Sequence, residues 1–183
     1  MDKIEIKKKQ GSIVEALRDA ILSGSIPADT EMTQNELAQS LGVSRMPVRE
    51  ALIILEYQGL IRRLPNNHVR VVPQTREYIA ELFRMCRDLC VPLLCKMEHS
   101  EKLPEHDPDF HRAIYQQCSF AFQRKVLESL TEIYITYAAA RLTTRGTENI
   151  REVIQAAALR DEQKVQQVLQ SYYAVLLDGM MTD

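Results

Sequence analysis

Two arginines, Arg45 and Arg49, have clear potential for chemistry in this sequence because they stand four residues apart. On an α-helix this spacing places both guanidinium groups on the same side. Arginine can donate two parallel hydrogen bonds to O6 and N7 of guanine, and it can equally hold a phosphate. Taken alone, the pair fits an ordinary solvated helix face as well as it fits a nucleic-acid contact.

Asp107 and His111 form the tightest acid–histidine group of the sequence, and they are also four residues apart. They could be two ligands of a metal ion, but Asp107 is equally well explained as a helix cap. The sequence has no Gly-rich phosphate loop, no nucleophile elbow and no His-Glu-x-x-His pattern. We therefore expect that the chain is not an enzyme.

The sequence has four cysteines, and none of them belongs to a C-x-x-C pair: Cys86, Cys90, Cys95 and Cys118. This spacing excludes a zinc ribbon and a thioredoxin-like motif. The first three lie within ten residues of one helical pattern, where buried thiols pack as small apolar residues. We favour packing as their role, and a redox pair or a thiolate–metal cluster is the alternative.

The segment that carries the two arginines has the pattern of a winged helix. After a first amphipathic helix, a Thr33-x-x-Glu36 capping box opens a second helix, and Ser44 can cap a third. Pro47 then falls in the first turn of the third helix, where its missing N–H costs little. Residues 60–72 read as a β-hairpin with turn-forming residues at its tip.

Beyond Pro73, helical patterns continue to the end of the chain and indicate about five amphipathic helices. In one of them, Asp107, Pro108 and Asp109 read as the N-cap, the first residue and an acidic first turn. The sequence therefore predicts a mainly α protein of two domains. Residues 1–73 would be a winged helix-turn-helix with a small β-hairpin wing, and residues 74–183 an all-α helical bundle.

Composition and charge agree with two small globular domains. Hydrophobic residues make up 45% and charged residues 26% of the 183 residues. The net charge is −2, but residues 1–73 carry +1 and residues 74–183 carry −3. The basic residues of the first domain concentrate in Lys7 to Lys9, the third helix and the hairpin. With few cations, we expect a modest nonspecific affinity for nucleic acid and a shallow salt dependence.

The contiguous stretch from Gly42 to Leu52, Gly-Val-Ser-Arg-Met-Pro-Val-Arg-Glu-Ala-Leu, resembles the winged-helix domain of the GntR family of bacterial transcription regulators. The resemblance extends back to Leu17 and forward to Val72. It implies a cytoplasmic, sequence-specific DNA-binding regulator, expected to be a repressor, that binds a palindromic operator in double-stranded DNA as a homodimer. No apolar run is long enough for a membrane helix, and we expect no membrane association.

Carried over residue by residue, the resemblance implies nine DNA-contacting residues: Thr33, Asn35, Ser44, Arg45, Met46, Pro47, Arg49, Asn67 and His68. The chain departs from the family at Asn35, where arginine is usual. It departs again at the wing tip, where a basic residue followed by glycine is usual and Asn67 and His68 stand here.

The second domain resembles the ligand-binding domain of the family's FadR-like branch, through Asp107-Pro-Asp-Phe-His111 and the run from Val153 to Asp161. The resemblance implies a divalent metal held by Asp107, His111 and two later histidines, with a small organic acid as effector. Two of the four expected ligands are missing, since those positions fall at Asn149 or Ile150 and at Tyr172.

The arginine that this branch carries early in the domain falls at or beside Cys86. A metal and an acid effector therefore stay open predictions, and no other cofactor is predicted. The alternative is a helical domain that serves only dimerisation or protein partners, without a small-molecule effector.

Overall fold

The computed structural model describes residues 13–142 and 145–181, with only the backbone of residues 145–147. Lys7 to Lys9, which the sequence analysis counts among the basic residues, lie outside this described part. The chain divides into two compact units, Met1–Gln74 and Thr75–Asp183. Each unit is described by itself below.

The N-terminal unit consists of three helices and a small antiparallel sheet. In chain order its elements are α1 (Ile13–Leu22), β1 (Glu31–Met32), α2 (Gln34–Leu41), α3 (Arg45–Tyr57), β2 (Ile61–Arg63) and β3 (Val69–Val71). The strand order is β1-β3-β2, and β3 pairs with both neighbours. Arg70 is the shared position, since it lies opposite Glu31 on one side and Arg62 on the other.

The sheet has one strand more than the predicted hairpin. β1 covers only two residues, and so short a segment has no alternation of polar and apolar residues from which a strand could be predicted. Backbone hydrogen bonds extend its pairing, because Val71 N donates to Thr30 O at 3.0 Å and Asp29 N donates to Val71 O at 3.1 Å. The wing is thereby attached to the segment that leads into α2.

The capping box predicted for α2 is present in both directions. Thr33 Oγ1 accepts from Glu36 N at 3.1 Å, and Glu36 Oε2 accepts from Thr33 N at 2.8 Å. Gly42 ends the helix in the left-handed conformation, with φ of +66°, which glycine adopts without steric cost. Ser44 stands at the N-cap position of α3, as predicted, but its hydroxyl makes no capping hydrogen bond.

An apolar stripe on α3 forms the core of this unit. Val48, Leu52 and Leu55 are at most 1% exposed, and α3 packs against α1 and α2, whose buried residues include Leu17 and Leu37. Burial of each such side chain contributes about 1.5–3 kcal/mol. The stripe thus fixes which face of α3 points inward and which points to solvent.

The C-terminal unit is helical throughout its described part. Its elements are α4 (Arg76–Lys96), a 3₁₀ turn (Ser100–Lys102), α5 (Asp109–Gln116), α6 (Ala121–Leu130), a π-helical turn (Thr131–Ile135), α7 (Thr136–Ala139), α8 (Arg145–Ala158) and α9 (Glu162–Met181). The long α9 packs against both α4 and α8. None of the helices described in either unit is both long enough and apolar enough to cross a bilayer.

The start of α5 differs from the prediction. The helix begins at Asp109 with Pro108 at the N-cap position, so that Asp107 is not the N-cap residue. The Asp107 carboxylate still accepts a hydrogen bond from the backbone N of His111, at 3.3 Å, but its main partners are side chains. Capping therefore accounts for only one of the hydrogen bonds that the Asp107 carboxylate accepts.

We expect Thr33→Ala to lower the free energy of unfolding by about 0.5–2 kcal/mol, because it removes the side chain that accepts from Glu36 N. Ser44→Ala is the matched control: it also stands at an N-cap, but its hydroxyl bonds nothing in the helix, and its effect should be near zero. Urea unfolding of both variants, followed by far-UV circular dichroism, measures the difference. Equal losses in the two variants would contradict the assignment.

Candidate nucleic-acid interface and buried polar centre

The outer faces of α2, α3 and the β2–β3 hairpin enclose a groove of about 480 Å³. Its lining consists of Thr33, Gln34, Asn35, Arg45, Arg49, Arg63, Asn66, Asn67 and His68. Six of the nine residues predicted to contact DNA are among them. Considering the described residues only, the lining contains three arginines and no carboxylate, so that the groove favours an anionic ligand.

The first two turns of α3 present the predicted recognition residues to solvent. Arg45 and Arg49 are exposed on the outer face, and Met46 beside them is 63% exposed. Pro47 is half-buried, and the exposed hydroxyl of Ser44 is free of the helix.

A contact between the second and third helices orients one of these arginines. Arg45 Nη1 donates to Asn35 Oδ1 at 3.3 Å. Asn35, which stands where the family usually has arginine, thus positions a cation here rather than supplying one. Arg49 has no acidic partner among the described residues.

At the wing tip, Asn67 adopts the left-handed conformation with φ of +61°, which asparagine tolerates better than most residues. His68 does not point freely outward. Its Nδ1 lies 2.7 Å from Oε1 of Glu31, on the neighbouring β1 strand. The wing tip is therefore attached to the rest of the sheet by a side-chain contact.

Glu31 also accepts from Asn66 at 3.2 Å and from Arg70 at 3.1 Å. The hydrogen bond from Asn66, followed by those from Arg70 and His68, lowers the pKa of Glu31 to about 2. The carboxylate is thus ionised at neutral pH and offsets the cationic charge of the wing. Arg63 is likewise paired, since its Nη2 lies 3.2 Å from Glu56.

Within the C-terminal unit, Asp107 and His111 belong to a buried polar cluster. The Asp107 and His111 side chains are each 1% exposed, and His111 Nδ1 lies 2.6 Å from Asp107 Oδ1. Tyr172 donates its hydroxyl hydrogen to Asp107 Oδ2, and the Tyr173 hydroxyl lies 2.6 Å from His111 Nε2. Four side chains from α5, α9 and the segment before α5 are thus joined in one network.

The network continues into α4 through two cysteines. The Tyr173 hydroxyl donates to Cys86 Sγ at 3.3 Å, and Cys86 Sγ lies 4.0 Å from Cys90 Sγ. Both thiols are buried, with 0% and 1% exposure. We call Cys86, Cys90, Asp107, His111, Tyr172 and Tyr173 the buried polar centre.

Charge is stabilised in this centre by mutual contacts. Burial disfavours the carboxylate of Asp107, but the attraction of His111 and the hydrogen bonds from His111 and Tyr172 outweigh it, and the pKa of Asp107 is lowered. Burial also disfavours the imidazolium of His111, and the Asp107 carboxylate outweighs it, so that the pKa of His111 is raised. The thiol of Cys90 donates to Cys86 and, together with His111 and Tyr173, lowers the pKa of Cys86 to about 7 against the effect of burial.

The metal ligand set implied by the FadR-like resemblance does not fit these residues. Of its two missing positions, one falls at Ile150, a buried apolar residue, or at its neighbour Asn149. The other falls at Tyr172, which donates to Asp107 instead of facing a shared ion with it. Both carboxylate oxygens of Asp107 already have protein partners, which are His111 Nδ1 and the Tyr172 hydroxyl.

The position expected for the effector-binding arginine also differs. Cys86 is buried in the polar centre, and the adjacent Arg87 donates to Asp88 Oδ1 at 2.7 Å. No arginine is among the partners of the centre in the described part of the chain. The contacts that would recognise a small carboxylate are therefore lacking there.

Sequence reasoning missed the connection between the cysteines and His111. The four-residue spacing of Cys86 and Cys90 was a usable signal, because it places both thiols on one face of α4. Tyr173 had no such signal, since it lies 62 residues from His111 in the chain.

A helix-turn-helix followed by an antiparallel wing, with two exposed arginines at the start of its third helix, is the architecture of winged-helix DNA-binding domains. Residues 9–71 match the family model described as "Bacterial regulatory proteins, gntR family". The winged helix of this chain is thus similar to the helix-turn-helix domain of the GntR family.

Curated relatives align with less than half of this chain. A "Gluconate operon transcriptional repressor" of Bacillus subtilis is 42% identical over 67 residues, which are 37% of this chain and 27% of that protein. An "Uncharacterized HTH-type transcriptional regulator in unstable DNA locus" of Streptomyces ambofaciens is 45% identical over 49 residues, or 27% and 21% of the two chains. The chain thus spans about a fifth to a quarter of the length of these relatives. Their descriptions agree with the expectation that the chain is not an enzyme.

Solved structures match the fold of nearly the whole chain. Escherichia coli McbR/YncC has a TM-score of 0.55 at 17% identity, over 90% of this chain and 95% of that chain. The transcriptional regulator GntR from Rhodococcus sp. RHA1 has a TM-score of 0.58 at 20% identity, over 92% and 95% of the two chains. The winged helix followed by a helical unit is therefore a fold that solved structures share.

We expect Tyr172→Phe to destabilise the C-terminal unit by about 1–3 kcal/mol, because it leaves Oδ2 of the buried Asp107 without its hydroxyl donor. Tyr115→Phe is the matched control. Its hydroxyl also donates to a carboxylate, that of Glu132, but Glu132 is partly exposed and keeps two hydrogen bonds from Arg112 at 2.7 Å. Thermal unfolding of both variants tests the difference, and a larger loss in Tyr115→Phe would contradict it.

Proposed function

We propose that this chain is a sequence-specific DNA-binding transcription regulator, acting as a homodimeric repressor on a palindromic operator. The observation that carries the proposal is the pair Arg45 and Arg49, exposed on the first two turns of α3 and bordering an arginine-lined groove.

The position of the two arginines suits base readout. The N-terminal turns of a recognition helix are the part that meets base edges in the major groove. A bidentate contact of arginine with guanine is worth about 1–3 kcal/mol of discrimination against other bases. Asn35 holds Arg45 from the side, so that part of the entropy of ordering this long side chain is lost before DNA is bound.

Neighbouring groups suit the phosphate backbone. The Ser44 hydroxyl is exposed and has no partner in its helix, so that it can donate to a phosphate without loss of a cap. Thr33 differs, because its hydroxyl oxygen serves the capping box. We assign to Thr33 the positioning of α2 and to Ser44 a direct phosphate contact.

A homodimer follows from the limited reach of one domain. One recognition helix covers a few base pairs, and two copies related by a two-fold axis read half-sites about one helical turn, or 34–36 Å, apart. Repression, as opposed to activation, is supported by the Bacillus subtilis relative, which is described as a repressor of the gluconate operon.

For the helical unit, the observations favour dimerisation or protein contacts without a small-acid effector. The buried polar centre has no arginine, and Arg87 is paired with Asp88. A surface groove of about 840 Å³ lies elsewhere in the unit, between the end of α4, the 3₁₀ turn and α5, and neither Asp107 nor His111 lines it. The acid effector implied by the resemblance thus lacks the contacts that would recognise it.

The double variant Arg45→Ala, Arg49→Ala should lose specific binding to the promoter region of the chain's own gene, by about 100-fold or more if both arginines contact bases. Electrophoretic shift and fluorescence anisotropy at fixed salt measure the loss. Arg151→Ala is the control, since it removes one exposed arginine from the helical unit. Undiminished specific binding by the double variant would contradict the proposal, and binding only as a monomer, seen by light scattering, would contradict the homodimer.

We expect Glu31→Gln to increase DNA affinity severalfold and to steepen its salt dependence by about one charge, because the Glu31 carboxylate pairs with Arg70 and offsets its charge. The measurement is the slope of log K against log salt for the wild type and the variant. Glu98→Gln, at an exposed glutamate of the helical unit, is the control for net charge. A decrease in affinity would contradict the prediction and assign to Glu31 the role of holding the wing in its binding position.

A further inference from the structure

We propose that Cys86, Cys90 and His111 form a binding site for one thiophilic metal ion of the Zn²⁺ type. One ligand atom from each of the three side chains lies within 4.8 Å of the other two, and all three residues are buried. Two thiolates and an imidazole are the donors that zinc prefers in proteins. The site differs in ligand type from the carboxylate and imidazole set that the family resemblance implies.

The two sulfur atoms are already separated by nearly the distance that a shared ion requires. Zn–S bonds of about 2.3 Å in tetrahedral geometry place two sulfurs about 3.8 Å apart. Cys86 Sγ and Cys90 Sγ lie 4.0 Å apart on one face of α4. Both ligands thus come from adjacent turns of a single helix, and little backbone movement is needed.

Asp107 provides the outer contact that a ligating histidine usually has. Metal-bound histidines commonly give their second ring nitrogen to a carboxylate, which fixes the tautomer and the ring orientation. Here His111 Nδ1 lies 2.6 Å from Asp107 Oδ1, so that Nε2 is the nitrogen available to an ion. We therefore assign Asp107 as a positioning residue and not as a ligand.

The Tyr173 hydroxyl occupies the position that we propose for the ion. Its hydroxyl lies 2.6 Å from His111 Nε2 and 3.3 Å from Cys86 Sγ, and thus bridges two of the three proposed ligands. An ion bound between the ligands would replace the Tyr173 hydroxyl as the partner of His111 Nε2 and of Cys86 Sγ. The Tyr173 oxygen then either moves aside or completes a fourth coordination position.

Charge also balances in the proposed complex. Binding of M²⁺ converts the two thiols to thiolates and releases their two protons, and the imidazolium of His111 gives up a third proton from Nε2, so that the ion and its sulfur ligands are together neutral. His111 binds as the neutral imidazole with its proton on Nδ1. The charge of Asp107 remains stabilised by His111 Nδ1–H, the His111 backbone N–H and the Tyr172 hydroxyl.

A route to the site exists on one side of the helical unit. A cleft of about 270 Å³ between α4 and α9 is lined by nine residues, including Phe83, Arg87 and Tyr173. Tyr173 lines this cleft and its hydroxyl donates to Cys86 Sγ, so that its side chain reaches from the cleft to the thiols. An ion that enters here has to displace the Tyr173 ring from its stacked position on Phe83.

The test uses the full chain, reduced and freed of metal, titrated first with Co²⁺ and then with Zn²⁺. We expect one Co²⁺ per chain, with a thiolate-to-cobalt charge-transfer band in the near ultraviolet and the strong visible bands of tetrahedral cobalt. Zn²⁺ should displace the cobalt and remove both signals. Cys86→Ala and Cys90→Ala should each abolish the charge-transfer band or reduce cobalt affinity by at least 100-fold.

Cys118→Ala is the matched control, because Cys118 is equally buried in the same unit but lies outside the cluster. It should retain the full spectrum. Asp107→Asn should weaken Zn²⁺ binding by about 10- to 100-fold while it retains the charge-transfer band, as an outer contact does. Far-UV circular dichroism of each metal-free variant identifies any variant that has not folded, and the other cysteine variant and Asp107→Asn then carry the test.

Three results would overturn the proposal. They are the absence of a thiolate-to-cobalt band in the folded wild type, a band that survives in the folded Cys86→Ala, Cys90→Ala double variant, and equal loss of the band in Cys118→Ala. None of these readouts involves DNA, so failure of the metal site leaves the proposed regulator function untouched, and the reverse also holds.

Discussion

The burial of one apolar stripe on α3 is the constraint on which the proposed function depends. Val48, Leu52 and Leu55 are inaccessible, and their packing fixes the rotation of the helix about its own axis. Because a helix repeats every 3.6 residues, this rotation also fixes the directions in which Arg45 and Arg49 project beside the stripe. The core therefore does more than stabilise the unit, since each buried leucine also aims the two arginines outward.

Acidic side chains compensate part of the positive charge around this helix. Glu31 and Glu56 pair with the wing arginines Arg70 and Arg63, whereas Arg45 and Arg49 on the recognition helix and Arg62 on the wing are in no ion pair among the described residues. Nonspecific affinity for DNA grows with the number of phosphates neutralised, whereas base contacts add affinity only at matching sites. A protein with few free cations on its wing thus depends more on base contacts, and its ratio of specific to nonspecific binding is higher at a given total affinity.

Local signals in the sequence were sufficient for the winged helix. The helices follow from apolar spacing, and the start of α2 follows from the Thr33–Glu36 pair, whose two hydrogen bonds span only three residues. Contacts between distant segments had no such signal. The two-residue strand β1 exists only because β3 pairs with it, and Glu31 meets His68 across 37 residues. The same limit applies to the C-terminal unit, where the partners of Asp107 and His111 on α9 are more than 60 residues away.

The side chains of the buried polar centre form a hydrogen-bonded network, and in our proposal the same side chains bind a metal ion. Burying a carboxylate and an imidazolium costs several kcal/mol per ion unless each polar atom has a partner. The Tyr172 and Tyr173 hydroxyls supply two of those partners. The cysteines add little to this network as thiols, because S–H is a weak donor. Their placement beside His111 is better explained by what they become on losing their protons, since two thiolates neutralise the charge of a divalent ion bound between them.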